Sequence, residues 1–463
     1  MSIVFALEDL DDETKIDIRK SLTFEGEISY IASQFNSDPK QIKFFNVKDG
    51  NVYLPHFTGL SLKEDVDFGN YPEKTEFSTT TPLRSLQEEV IEEAIPVLME
   101  TKSISIIMPT GTGKTRTATE IISRLPGKAV ILYSLLSLGA SWMGNFQKHT
   151  DCKSVCLLDK RTTLDNWVEK YNDFPDILLV PCERVNWLSS EIRGMYRILV
   201  IDEAHLFCTP EYSKTILPWQ VEFVIALTAT TGRSDGLFDM MSALTSHIIE
   251  KKVDRPFKVI KVETGIIPEI EKNRKTGFAD WAKLSKFMAE NNERNNIICD
   301  LLSYIQTEEE EESIDTTPDR MEVTIDGVPI KNKILTLMAR TAQLEGLQEL
   351  LGEREMPHSS FYGKARSYND APIILGTYKK MSTGFDEELA CPDFCGIKFN
   401  RLINGSSLKD HLTLEQSVGR VFRINYPIVY DLVDEHKIFE RHWDSRRKWY
   451  TSKGAEIEDL TVS

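Results

Sequence analysis

The sequence has no excess of basic charge, no long apolar run and few cysteines, and each absence removes a class of protein. Lysine and arginine number 55 against 72 aspartate and glutamate, a net charge of −17 at pH 7 over 463 residues. So acidic a chain does not coat nucleic acid by bulk electrostatics, and any nucleic-acid contact must be local. No segment approaches the roughly 18 to 20 consecutive apolar residues of a membrane span, so no membrane is expected as a partner. Residues Met1 to Leu10 have no basic n-region and only a short apolar run, which is not the pattern of a secretory signal. The seven cysteines are scattered, and the pairs Cys152/Cys156 and Cys391/Cys395 have a spacing that suits neither a zinc ribbon nor a redox CxxC. Reduced, buried thiols in a reducing intracellular compartment are expected.

What is present is 41% hydrophobic and 27% charged residues, enough apolar material for sizeable cores. The length suggests about three domain-sized units. From about residue 80 onward, short apolar runs alternate with helix-length periodic stretches, the pattern of parallel sheets covered by helices. The class is α/β. Strands are expected at Ser103 to Met108, Ala129 to Tyr133, Asp176 to Val180, Arg197 to Ile201 and Phe223 to Thr228. A second set is expected at Lys258 to Glu263, Lys333 to Ala339, Pro372 to Gly376, Ile397 to Ile403 and Ile428 to Val433. Each run is nearly continuously apolar, as strands buried on both faces are. Charge and a proline between Glu250 and Pro256 mark the boundary between the two sheets.

Residues 1 to 78 read as a small α+β accessory domain. It has a polar helix-like start, a strand around Ile42 to Val47, a turn at Asp49-Gly50 and a strand at Asn51 to Leu54. Residues 79–254 and 255–463 then form the two larger domains. The acidic stretch from Thr307 to Arg320 reads as a solvated loop. Asp326-Gly327 between apolar runs reads as the turn of an inserted hairpin.

The string Met108-Pro-Thr-Gly-Thr-Gly-Lys114-Thr115 follows an apolar strand and opens a helix. In that context Thr110, Gly111, Thr112 and Gly113 let the backbone curl so that its N–H groups face a phosphate at a helix N-terminus. Lys114 neutralises the β- and γ-phosphates of a bound nucleotide, and Thr115 ligates Mg²⁺. Met108 stands where the strict pattern has Gly or Ala. A second strand ends in Asp202-Glu203-Ala204-His205. Two carboxylates at the C-terminal edge of such a strand sit where α/β sheets bind ligands. Asp202 is placed to hold Mg²⁺ through its water shell, and Glu203 to take a proton from the attacking water. The expected cofactors are ATP and Mg²⁺.

These strings, then Leu227-Thr228-Ala229-Thr230, then Gln416-Ser-Val-Gly-Arg420-Val-Phe-Arg423, occur in the order found in superfamily 2 helicases, and the chain resembles a DEAH-box member over residues about 79 to 435. Within that superfamily it looks like the helicases of large DNA viruses and phages, the poxvirus transcript-release helicase among them. Phe361-Tyr-Gly-Lys364, Gly376-Thr377 to Gly384-Phe385-Asp386, and Val52-Tyr-Leu-Pro-His-Phe57 carry that narrower likeness.

The resemblance implies two tandem RecA-like domains binding ATP and Mg²⁺ between them, a monomer, and 3′ to 5′ motion on DNA in preference to RNA. It also implies a role in viral transcription or in DNA repair and recombination, beside transcription or replication machinery, in the cytoplasm or nucleus of a host cell or in a virion. Residue by residue, it implies that Gln87 reads the adenine with Arg84 in support. Thr228 and Thr230, with His205, couple the nucleotide site to the nucleic-acid track. Gln416 senses the γ-phosphate, Arg420 and Arg423 are arginine fingers sharing one helix face, and Gly384 and Asp386 contact ribose and backbone. The track uses amides and hydroxyls more than a basic surface, with Ser134, Arg340, Lys364 and Thr377 as contacts.

Trp142 and Trp187 read as core anchors, and the helical tail Lys437 to Lys453 as an amphipathic element whose Arg441, Arg446, Arg447 and Lys448 offer a basic face to a duplex as the alternative. Two rival activities stand beside strand separation. One is a duplex-tracking motor that displaces transcripts or proteins without unwinding. The other is an ATP-controlled binding switch, although no NKxD base-reading motif of the GTPase kind is present.

Overall fold

The computed structural model describes residues 2–25, 41–63, 66–229, 239–253, 255–271, 279–307, 324–325, 328–329, 332–381, 385–422, 424 and 426–461. They divide into two compact units, Met1–Lys252 and Val253–Ser463. The acidic stretch from residue 308 on, the turn Asp326-Gly327, and the candidate site residues Thr230, Gly384 and Arg423 lie outside the described residues.

The first unit opens with β1 (Ser2–Ala6), β2 (Thr23–Glu25), β3 (Gln41–Lys43), β4 (Asn46–Lys48) and β5 (Asn51–Pro55). The expected helical start is corrected here. Residues 2–6 pair antiparallel with β5, Val4 opposite Tyr53, and the helix follows at Asp12–Ser21. Asp11 caps that helix by accepting a bond from the Thr14 amide at 2.6 Å. The stretch Ile42 to Val47 breaks into β3 and β4, while the turn at Asp49-Gly50 is as expected, both residues having positive φ. Ile18, Leu22, Ile42, Phe44, Val52 and Leu54 share one continuous core with Val130, Leu178, Leu199 and Val224 of the following sheet.

That sheet holds β6 (Ser103–Ile107), β7 (Ala129–Tyr133), β8 (Val155–Leu157), β9 (Ile177–Pro181), β10 (Ile198–Ile201), β11 (Phe223–Thr228) and β12 (Ile248–Glu250), in the order β12-β6-β11-β10-β7-β9-β8, all parallel. The central strands are buried at every position, which is why their apolar runs are unbroken. The edge strands β8 and β12 are short and partly exposed, so they carry no such run and were not expected.

The second unit repeats the design with β13 (Phe257–Glu263), β14 (Thr324–Ile325), β15 (Val328–Pro329), β16 (Ile334–Met338), β17 (His358–Phe361), β18 (Ile373–Thr377), β19 (Arg401–Asn404), β20 (Ile428–Val433) and β21 (Ala455–Thr461). Seven of these form a parallel sheet in the order β17-β18-β16-β19-β20-β13-β21. β14 and β15 pair antiparallel as the expected hairpin. The run Ile397 to Ile403 becomes strand only from Arg401, where its backbone meets β16 and β20. β21 alternates partly buried and exposed residues, as an edge strand does, and this pattern hid it in the sequence.

The tail helix Lys437–Ser452 docks on this sheet through Trp443, Trp449 and Tyr450, while its Phe439 packs with Ile266, Leu284 and Met288. Arg441, Arg447 and Lys448 are exposed, but Arg446 is withdrawn from any basic face. Its Nε and Nη2 bind the two Asp431 oxygens at 2.8 and 2.6 Å, and Tyr450 Oη and Asn404 Nδ2 donate to the same buried carboxylate. Arg446→Met should destabilise this unit by about 3–5 kcal/mol, because Asp431 is left buried without a counter-charge. Denaturant unfolding would show it, with Arg441→Met, an exposed neighbour, within about 0.5 kcal/mol of wild type.

Burial pushes the Cys156, Cys182 and Cys299 thiols up to about 11, which keeps them protonated and unreactive. Among the described residues no helix is long and apolar enough to cross a membrane.

Candidate nucleotide and nucleic-acid site

Because the strands are parallel, whatever follows each one emerges at the same sheet edge. In the first unit that edge collects Met108 to Gly113 after β6, Ser134 after β7, Asp202 and Glu203 after β10, and Thr228 at the end of β11. The register ties them together: Ile201 lies beside both Leu132 and Ala226, and Thr228 lies beside Ile107.

The phosphate loop is built on backbone that only glycine takes easily. Gly111 and Gly113 have φ of 78° and 95°, and Gly113 is the N-cap of the helix Lys114–Arg124. A Cβ at Gly113 would also overlap Gln87 Nε2. Met108, the departure from the strict pattern, is fully buried, and its carbonyl receives the Lys114 ammonium at 3.4 Å. Thr112 Oγ1 donates to Pro109 O at 2.6 Å, whereas the buried Thr110 hydroxyl has no hydrogen-bond partner among the described residues. An ammonium on one long bond, an unpaired hydroxyl and a helix N-terminus suit an incoming phosphate.

Arg84 and Gln87 bracket this loop. Gln87 Nε2 donates to Thr112 O at 3.2 Å, its Oε1 accepts from the Arg84 amide at 2.9 Å, and Arg84 Nη1 reaches Gly111 O at 3.3 Å. Both polar ends of Gln87 are thus held by the chain itself. Arg116, which the sequence reading passed over, joins the clamp: its Nη2 donates to Thr81 O at 2.5 Å.

Asp202 is 4% exposed. Its Oδ2 accepts the Trp142 indole N–H at 2.8 Å and its Oδ1 the Glu203 amide at 3.0 Å. Burial, and after it the charge of Glu203, push its carboxyl above the usual carboxylate range, against the Trp142 bond and the Lys114 charge. A buried carboxylate so placed favours a second cation beside it, and Mg²⁺ would fit there with Asp202 and Thr115 to hold it. Glu203 sits at φ 51°, ψ 51°, the left-handed region, where a residue with a side chain costs on the order of 1–3 kcal/mol. This turn aims its Oε2, which accepts no hydrogen bond among the described residues, to 3.5 Å from His205 Nδ1. The buried His205 Nδ1 is in turn 2.9 Å from Thr228 Oγ1. Carboxylate and hydroxyl therefore lie on either side of one imidazole nitrogen, between β10 and β11.

Ser134 is buried at the start of the turn after β7, its hydroxyl without a hydrogen-bond partner among the described residues. Trp142 is a core residue as expected, while Trp187 is half-buried beneath the guanidinium groups of Arg161 and Arg184.

In the second unit, Thr377 ends β18 opposite Met338, and Arg340 and Lys364 follow β16 and β17 at the same edge. Lys364 is exposed. Arg340 is engaged within the unit, Nε to Ser285 Oγ at 2.8 Å and Nη2 to Ala282 O at 2.9 Å. Asp386 caps the short helix Glu387–Ala390 through the Glu388 amide at 2.9 Å. Gln416 is buried on the helix His411–Val418. The expectation that Arg420 and Arg423 share a helix face is corrected, because that helix stops at Val418 with Gly419 as its cap. Arg420 Nη1 donates to Phe385 O at 2.6 Å, and its guanidinium lies over the Phe385 ring at 5.8 Å.

Known proteins are similar to this chain over the stretch that carries this edge. The family described as "Type III restriction enzyme, res subunit" matches residues 80–233, the stretch from before the phosphate loop to beyond Thr228. A protein named as a helicase, 161L of Invertebrate iridescent virus 6, is 22% identical over 444 residues, covering 92% of this chain and 94% of its own. Another so named, 055L of Frog virus 3, is 25% identical over 423 residues, covering 88% and 86%. The fold is similar to that of S. cerevisiae Dbp5 bound to RNA and ADP BeF3, with a TM-score of 0.51 at 12% identity over 81% of this chain and 89% of that one. With two parallel-sheet units, the phosphate loop and the Asp202-Glu203-Ala204-His205 turn all in place, the chain resembles the superfamily 2 helicases, those of large DNA viruses among them.

Proposed function

We propose that this nucleic-acid-dependent ATPase moves 3′ to 5′ along DNA in preference to RNA, using Mg²⁺, as a monomer, in viral transcription or in DNA repair or recombination. The observation that carries the reading is the cluster of Glu203, His205 and Thr228 beside the Asp202 carboxylate. It joins the group that would accept water's proton to a strand end facing the proposed track. On this reading residues 1–78 form the accessory domain, 79–254 hold nucleotide, and 255–463 supply Gln416, Arg420 and Arg423.

Arg84 and Gln87 hold the adenine side of the loop, Thr110 to Gly113 wrap the phosphates with amide N–H groups, and Lys114 neutralises their charge. Mg²⁺, when bound through Thr115 and Asp202, withdraws charge from the phosphate oxygens. Glu203 takes the proton of the attacking water. His205, Thr228 and Thr230 relay the state of that site. Gly384 and Asp386 touch ribose and backbone, and Ser134, Arg340, Lys364 and Thr377 meet the strand by hydroxyl, amide and local cation contacts. The net charge of −17 leaves little room for a broad electrostatic footprint.

The test is the ATPase rate against single- and double-stranded DNA and RNA, followed by strand displacement on duplexes with a 3′ or a 5′ tail. Stimulation by single-stranded DNA above RNA, with displacement from the 3′ tail alone, is the expected result. Triplex displacement on blunt duplex without strand separation would favour the duplex-tracking motor, and ATP-dependent binding without stimulated turnover the switch.

A further inference from the structure

Trp142 lies 60 positions from Asp202 in the chain, yet its indole N–H is spent on that carboxylate. Trp142 is fully buried. An indole donates and does not accept, so it can neither bind a metal nor carry a proton. What it does at Asp202 is fix the carboxylate's rotation and engage one of its oxygens, while the Glu203 amide fixes the other. The helix bearing it, Leu136–His149, has a second strut one turn further on. Asn145 Nδ2 donates to Thr119 Oγ1 at 2.6 Å, and Thr119 Oγ1 donates to Thr115 O at 2.9 Å. Positions 142 and 145 share a helix face. One face of one helix thus braces both residues read above as holding Mg²⁺.

We propose that Trp142 is a positioning residue for the metal site, holding the Asp202 carboxylate in the orientation that Mg²⁺ requires. The proposal rests on the reading of Asp202 as a metal ligand. Packing alone does not account for it. Phe146 and Leu138 supply apolar contact from the same helix, and a phenyl ring at 142 would fill most of the same space without needing an acceptor.

The experiment compares the full chain with Trp142→Phe and with a chain carrying β-(3-benzothienyl)alanine at 142, which keeps the indole's shape and lacks its N–H. The measurement is Mg²⁺-dependent binding of a fluorescent ADP analogue, which needs no turnover. Both replacements should raise the Mg²⁺ concentration for half-maximal tight binding by about tenfold, the low end for losing the outer partner of a metal ligand, with Mg²⁺-free nucleotide affinity unchanged. In the wild type, the Trp142 indole N–H resonance should shift when Mg²⁺ and ADP bind together and not with ADP alone. A wild-type Mg²⁺ requirement in the benzothienyl chain overturns the proposal. Asp202→Asn in the same titration separates the two readings. If it raises the requirement while both replacements at 142 do not, only the role of Trp142 fails. If Asp202→Asn leaves the requirement unchanged, the metal reading fails and the proposal with it.

Discussion

Glu203→Gln is expected to bind ATP with wild-type affinity and to lose hydrolysis by about 10²–10⁴, the range for removing a general base. The amide keeps the size of the side chain and its left-handed backbone position, but it has no lone pair basic enough to take water's proton. Lys114→Ala should show the opposite pattern. It removes a charge-assisted contact to phosphate, worth about 1.5–3 kcal/mol, so nucleotide affinity should fall by roughly ten- to a hundredfold. Equilibrium binding of a labelled nucleotide beside single-turnover hydrolysis separates the two. An equal loss of ATP affinity in both variants would overturn the role assignment, which gives Lys114 to phosphate binding and Glu203 to proton transfer.

Arg423→Ala in the full chain should lower nucleic-acid-stimulated turnover by about 10³ or more, the scale of a missing arginine finger, with nucleotide binding only modestly reduced. By sequence Arg423 belongs to the second unit, and Lys114, Asp202 and Glu203 belong to the first. Turnover on this proposal therefore needs both units. Arg423→Lys should rescue little, because an ammonium lacks the planar fork that spans two phosphate oxygens. Arg420 is the poorer probe, since its guanidinium is packed on Phe385 and Arg420→Ala would disturb that contact as well. Retention of stimulated turnover by Arg423→Ala would argue for the binding switch.

The buried centres of both sheets were legible from runs of consecutive apolar residues. Runs such as Ala129–Tyr133 and Phe223–Thr228 are short, nearly continuously apolar and buried at every position, as a parallel strand covered on both faces is. The phosphate loop and the Asp202-Glu203 pair were equally legible. Their chemistry is written in consecutive residues, and a parallel sheet brings all strand ends to one edge whatever the strand order. The edge strands β8, β12, β17 and β21 were not, because a strand with one partner is half-exposed and resembles ordinary loop.

What only the tertiary structure decided is where the polar side chains spend their bonds. Arg446 reads as part of a basic tail until Asp431 is found beneath it. Gln87 and Arg84 close on the phosphate loop 25 and 27 positions away, and Trp142 reads as one more core aromatic until its N–H is traced to Asp202. Burial follows from apolar pattern, which is local, whereas a hydrogen bond needs a partner at about 3 Å whose position the packing of distant elements sets.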